Sequence, residues 1–108
     1  GHHHADYYNN INGIHYVQIN SMSYSWLGGD YEYIRYSKKV EETHPWIKRT
    51  VPYKDPIWAY AEISTDNTFR LYGKKTEFVG PSPDELGVPK DIWGYPIVPY
   101  ISDKEIKI

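Results

Sequence analysis

The chain has 108 residues, a formal net charge of −2 and no cysteine, so it is sized for one domain with a modest core and has neither a disulfide framework nor a thiolate metal site. The nearly balanced charge offers no basic footprint for nucleic acid, and no apolar run reaches the ~18 residues that a membrane-spanning helix needs. Aromatic residues make up 17%, and rings that bury a large body while keeping a polar tip wet explain how a chain with a mean hydropathy of −0.70 still folds.

In chain order, the sequence begins Gly1-His2-His3-His4-Ala5-Asp6. His2 and His4 are two apart, so an extended backbone sends their side chains to one side and His3 to the other. Imidazoles placed in that way can reach one metal ion or two neighbouring ones. Gly1 lacks a Cβ and permits a sharp turn before them. Asn12-Gly13 reads as a turn, and residues 14–20 alternate, with His15, Val17 and Ile19 on one face and Ile14, Tyr16 and Gln18 on the other; this predicts a strand. His15, in mid-strand, is expected to be packed or hydrogen-bonded rather than a ligand. Asn20, Ser21, Ser23 and Tyr24 end the strand, where hydroxyls either hydrogen-bond a phosphate and shape a pocket or simply cap the strand end.

Gly28-Gly29 marks a turn, and Tyr31 to Tyr36 is rich in β-formers, which predicts a short strand. Ser37 is placed to cap helical turns over 38–42, and His44-Pro45 stops them, because the residue before proline avoids the α region. Residues 45–56 carry three prolines and read as a long surface loop pinned by Trp46 and Tyr53. From Ile57 to Ser64 the pattern predicts a strand with Ile57, Ala59, Ala61 and Ile63 facing inward and Trp58, Tyr60 and Glu62 outward. Thr65-Asp66-Asn67 turns it into a hairpin with residues 68–72, Phe69 and Leu71 inward and Arg70 outward. A third strand is expected over 76–79. Ser82, Pro83, Glu85 and Gly87 spell a single capped helical turn, and the proline-rich tail is expected to cover the sheet before a last strand near 105–108.

Gly1-His2-His3-His4 resembles the Gly-His-x-His signature that supplies the last metal ligands of calcineurin-like metallophosphoesterases. Asn12-Gly13-Ile14 looks like the turn and strand that follow it in that family. Asn20-Ser21-Met22-Ser23 is similar to the family's Asn-Pro-Gly-Ser at the strand end, without its Pro and Gly. The resemblance implies a hydrolase in which two divalent metal ions (Mn, Fe, Zn or Mg) polarise a phosphate ester and activate water for in-line attack. His2 and His4 would each give one imidazole, to different ions, while Asp6 would act from behind a ligand and Asn20, Ser21, Ser23 and Tyr24 would border the substrate.

The family's earlier ligand motifs, Asp-x-His and Gly-Asn-His among them, do not occur in the sequence, and Gly29-Asp30 falls on the wrong side of the histidines. Two imidazoles without carboxylates do not hold two cations ~3.5–4 Å apart, because nothing offsets their repulsion. The chain is therefore expected to be a C-terminal fragment, inactive alone. Its fold class is mainly β or α+β: residues 1–30 end the α/β sandwich of the catalytic fold, residues 31–108 form a β-rich extension with one or two helical turns, and the whole is one unit. The expected partners are the N-terminal catalytic portion or a second chain, and a phosphoester substrate.

Two alternatives stay open. Leading glycine and three histidines are also what a purification tag leaves behind, in which case the chain is a plain interaction domain. The aromatic excess also suits a carbohydrate-binding module, with Trp58 and Tyr60 as the stacking residues. The fragment predicts His2 and His4 turned toward a common point and an uncovered sheet edge or apolar face. The carbohydrate module predicts a disordered histidine segment and a row of exposed rings.

Overall fold

Asn12 and Gly13 both adopt positive φ, 53° and 82°, the combination a two-residue hairpin turn needs to match strand twist. Asn10 Oδ1 accepts the Gly13 N–H at 3.0 Å. This turn joins β1 (Tyr7–Ile11) to β2 (Ile14–Gln18) in a two-stranded antiparallel sheet running from Tyr7↔Gln18 to Ile11↔Ile14. A computed structural model supplies this description and covers residues 2–108, so the turn expected at Gly1 lies outside the described residues. β2 is the expected strand, two residues shorter. Its partner β1 was not foreseen, because Asn9 and Asn10 depress the strand signal of Tyr-Tyr-Asn-Asn-Ile.

A second small sheet pairs β3 (Tyr24–Trp26) with β4 (Thr50–Pro52). β4 corrects the loop expected over 45–56: Thr50, Val51 and Pro52 are all buried, and Pro52 ends the strand, where its missing N–H costs little. The strand expected over 31–36 does not form either. Gly29–Tyr31 is a 3₁₀ turn, and beyond it Arg35 commits its guanidinium to the carbonyls of Thr50 (2.8 Å) and Pro81 (3.2 Å), while one backbone bond, Tyr33 N–H to Lys48 O, stands where a ladder would run. Strand propensity without a partner strand decides nothing. The helix α1 (Lys38–Thr43) does form, with the Ser37 hydroxyl accepting the Val40 N–H, and it ends at His44.

β5 (Ala59–Ile63), β6 (Thr68–Gly73) and β7 (Lys104–Lys107) make a three-stranded antiparallel sheet with β6 central. The β5–β6 hairpin turns where expected, with Asn67 at φ 60°. Its inner face is a correction: Ile57 is buried, but Ala61 is exposed and Ile63 is 75% exposed, because the hairpin tip runs past the core. Residues 76–79 contribute one isolated bridge, Tyr53↔Phe78, in place of a strand, and Lys75↔Tyr100 forms another just before it. The capping box closes reciprocally, with Ser82 N–H donating to Glu85 Oε1 and Glu85 N–H to Ser82 Oγ, in a turn that stops at Gly87, φ 77°.

The protein is thus mainly β, with one short α-helix among the described residues. Among the described residues no helix is long and apolar enough to cross a membrane. Two apolar clusters hold the sheets together. Tyr53, Ile57, Leu71 and Ile101 form one, Leu27, Val51 and Val88 the other, and Phe78 packs against both. At Gly73, where β6 passes the tail, an added Cβ would lie 1.8 Å from the Ile101 carbonyl oxygen, so only glycine permits this approach.

Candidate functional site: the histidine loop and its aromatic groove

The histidine segment is not extended. His2 and His3 form a turn and His4 takes a left-handed conformation, φ 51°. Two anchors fix the segment immediately downstream. Ala5 is 1% exposed, and Asp6 accepts hydrogen bonds from the Ser102 N–H and hydroxyl and from Lys104 Nζ at 2.8 Å. On the other side the His4 ring packs edge-on against Tyr24 of β3, with centroids 5.0 Å apart. His2 and His3 meet edge to face at 5.6 Å, and His3 lies 6.2 Å from Tyr95.

These rings form one end of an open groove of about 710 Å³. Its walls come from β3, with Tyr24 and Trp26, and from the tail, with Trp93, Tyr95, Pro96 and Ile97. The tail is tied down where the groove needs it: the Trp93 indole N–H donates to the Trp26 carbonyl at 3.0 Å, and Tyr95 packs on Tyr7 at 5.8 Å. A strand end, a tail loop and the histidine turn therefore converge on a single concavity.

Burial pulls the His4 imidazole below its ordinary pKa, and the Tyr24 backbone acts in the opposite sense. The ring thus stays neutral at lower pH than a free histidine, which is the form that ligates metals. Its Nδ1 is buried without a protein partner. Among the described residues no group of three or more His, Asp or Glu side chains is placed to hold a metal ion. The donors present suit part of a coordination sphere, not a whole one.

Of the residues singled out for the metal site and its surroundings, His2, His4 and Tyr24 meet at the groove. Asp6, Asn20, Ser21 and Ser23 do not line it. Asp6 serves the Ser102–Lys104 anchor instead of an imidazole. Asn20 is buried, donating from Nδ2 to the carbonyls of Val98 and Tyr100 and accepting the Tyr53 hydroxyl at 3.0 Å. Ser21 gives its N–H to Asn20 Oδ1, and Ser23 gives its carbonyl to the Tyr53 N–H. His15 bonds the Tyr8 hydroxyl through Nδ1 at 2.8 Å.

Sequence reasoning missed His3, Trp26, Trp93 and Tyr95. The alternation rule sent His3 away because it presumed an extended chain. The two tail rings carried a signal only in their number, since nothing local says which side of a proline-rich segment faces a site. Comparison with known proteins returned no matching family model, no similar curated protein and no similar solved structure.

Proposed function

We propose that the chain is the C-terminal part of a metal-dependent phosphoesterase of the calcineurin-like kind, in which His2 and His4 are metal ligands. The observation that carries this reading is the loop itself. His4 is pressed against Tyr24 with an unpartnered Nδ1, and the backbone two residues on is clamped by a buried ion pair. The packing of His4 on Tyr24 supports a role for the loop in holding imidazoles, and it is the contact that favours this reading over a leftover tag.

The chain's own residues bind and orient. His2 and His4 supply nitrogen donors, Tyr24 fixes one ring, and Trp26, Trp93 and Tyr95 give the groove aromatic walls. The metal ions, when bound, would supply polarisation of the phosphoryl oxygens and a water-derived nucleophile. The remaining ligands would come from residues outside this stretch, the α/β sandwich that residues 1–30 would complete. Residues 31–108 would be the β-rich extension.

Two further observations favour a partner surface. One face of the β1–β2 sheet exposes Tyr7, Ile11, Ile14 and Tyr16, each at least 40%, an apolar row of the kind that a partner covers. The radius of gyration is 16.1 Å, against about 13 Å for a self-contained domain of this length. The parent reading frame tests the proposal directly. Asp-x-His and Gly-Asn-His motifs upstream are the expected result. With that segment joined, His4→Ala should lower phosphoester hydrolysis by at least about a hundredfold, in line with loss of a metal ligand. An upstream sequence lacking those motifs overturns the proposal.

A second reading, a carbohydrate-binding module, is favoured by a different row of rings. Trp58 and Tyr60 lie 6.5 Å apart, Tyr60 stacks on Tyr72 at 4.9 Å, and Trp58 and Tyr60 are 50% and 55% exposed. Oligosaccharide binding that disappears in Trp58→Ala would support it. Unchanged binding in that variant would remove it.

A further inference from the structure

The groove extends well beyond the histidines, and the chemistry of its walls is selective. Its volume, about 710 Å³, lies in the range of small-molecule sites. Among the described residues no carboxylate or carboxamide side chain lines it, and the serine that does, Ser25, is already committed to the Tyr53 hydroxyl at 2.9 Å. A saccharide needs such groups to read its hydroxyls. A planar ring needs only aromatic faces and apolar flanks.

Two of those faces, Trp93 and Tyr95, are held in advance. Trp26 and Trp93 are 39% and 45% exposed, and the indole N–H of Trp93 is fixed on the Trp26 carbonyl. Tyr95 is wedged between Tyr7 and His3. Rings that do not have to be ordered on binding leave more of the contact energy for the ligand.

We propose that this groove receives the planar aromatic ring of a phosphate ester, stacked among Trp26, Trp93 and Tyr95, with the phosphate end directed to the histidine loop. The phosphate end rests on the phosphoesterase reading; the ring end rests on the groove alone. The ring could belong to an aryl group or to a nucleobase, and both present the same flat π-face.

The test is a titration of the 108-residue chain followed through its indole N–H resonances, with phenyl phosphate, AMP, phenol, glucose 6-phosphate and inorganic phosphate in separate arms. Phenyl phosphate or AMP should shift the Trp26 and Trp93 signals, and the stronger of the two identifies the source of the ring. The Trp58 signal should not move. Trp93→Leu should weaken binding of the better ligand about tenfold, and Tyr95→Leu, which leaves the indole tie to Trp26 in place, should also weaken it; Trp58→Leu should not.

Absence of indole shifts with both ring compounds, or equal shifts with glucose 6-phosphate, overturns the proposal while leaving the metal reading untouched. Phenol moving the same indoles supports the ring end even if the upstream ligand motifs prove absent, which is how failure of the function reading would be told apart.

Discussion

Asp6 and Lys104, 98 residues apart in sequence, form an ion pair at 2.8 Å with side chains only 8% and 11% exposed. The pair is closed by Ser102, whose N–H and hydroxyl both donate to the carboxylate and whose Oγ and carbonyl also receive the ammonium. The chain's beginning is thus stapled to its last strand, two residues after His4. Asp6→Ala strands a buried ammonium and should cost about 3 kcal/mol. Denaturant unfolding measures that cost, and the His4 ring resonances should lose their dispersion from the Tyr24 contact while α1 stays formed. An unchanged midpoint would contradict the clamp.

Tyr53 is the second junction. Its hydroxyl accepts from Ser25 and donates to Asn20, both partners being buried. Tyr53→Phe should cost about 1–2 kcal/mol by leaving Ser25 and Asn20 short of a partner. Burial also raises the Tyr53 pKa, against weaker opposing hydrogen bonds. With the folded value above the unfolded one, its contribution is fully present below about pH 10 and is lost as pH rises through the folded pKa. Stability measured upward from pH 9 should therefore fall more steeply in the native chain than in Tyr53→Phe.

Asn20→Ala removes the link between the β2 end and the tail. Val98 and Tyr100 lose a donor, and the Tyr53 hydroxyl loses its acceptor. A loss of about 2–3 kcal/mol is expected from these unsatisfied groups. Amide exchange should accelerate over residues 97–101, which run on from the wall of the groove, more than in β5.

Gly73 and Gly13 separate two kinds of glycine. Gly73→Ala drives a Cβ into the Ile101 carbonyl and should cost about 3 kcal/mol or more. Gly13 has φ 82° and nothing within 4 Å, so Gly13→Ala should cost only about 1 kcal/mol, the strain of the left-handed backbone. Thermal unfolding of both variants checks the ranking; equal costs would contradict it.

What the sequence made legible was local. Ser37 and Ser82 announce their caps, Asn12-Gly13 and Asn67 their turns, and the alternation of residues 14–20 and 57–64 announces the strands that form within them. What it hid depends on distant partners. β4 looks like loop because its prolines mask Val51, whose burial is decided by Leu27 and Val88. Tyr31–Tyr36 looks like strand because propensity does not reveal that no edge awaits it. The site followed the same division. His2 and His4 stood out by composition, whereas Trp93 reaches the groove through a hydrogen bond to Trp26 that spans 67 residues. Asn20 and Asp6 drew notice as candidates for chemistry, and each is engaged in joining segments.

The β1–β2 hairpin has a further consequence for handling the isolated chain. Among the described residues it forms a sheet of two strands that pairs with no third, with large apolar side chains in water. Such a ribbon is marginal by itself and offers a template to any strand that approaches. In concentrated solution, copies should begin to recruit one another through this hairpin, so that apparent molecular mass climbs with concentration, and lysine substituted at Ile11 and Ile14 should keep the chain monomeric.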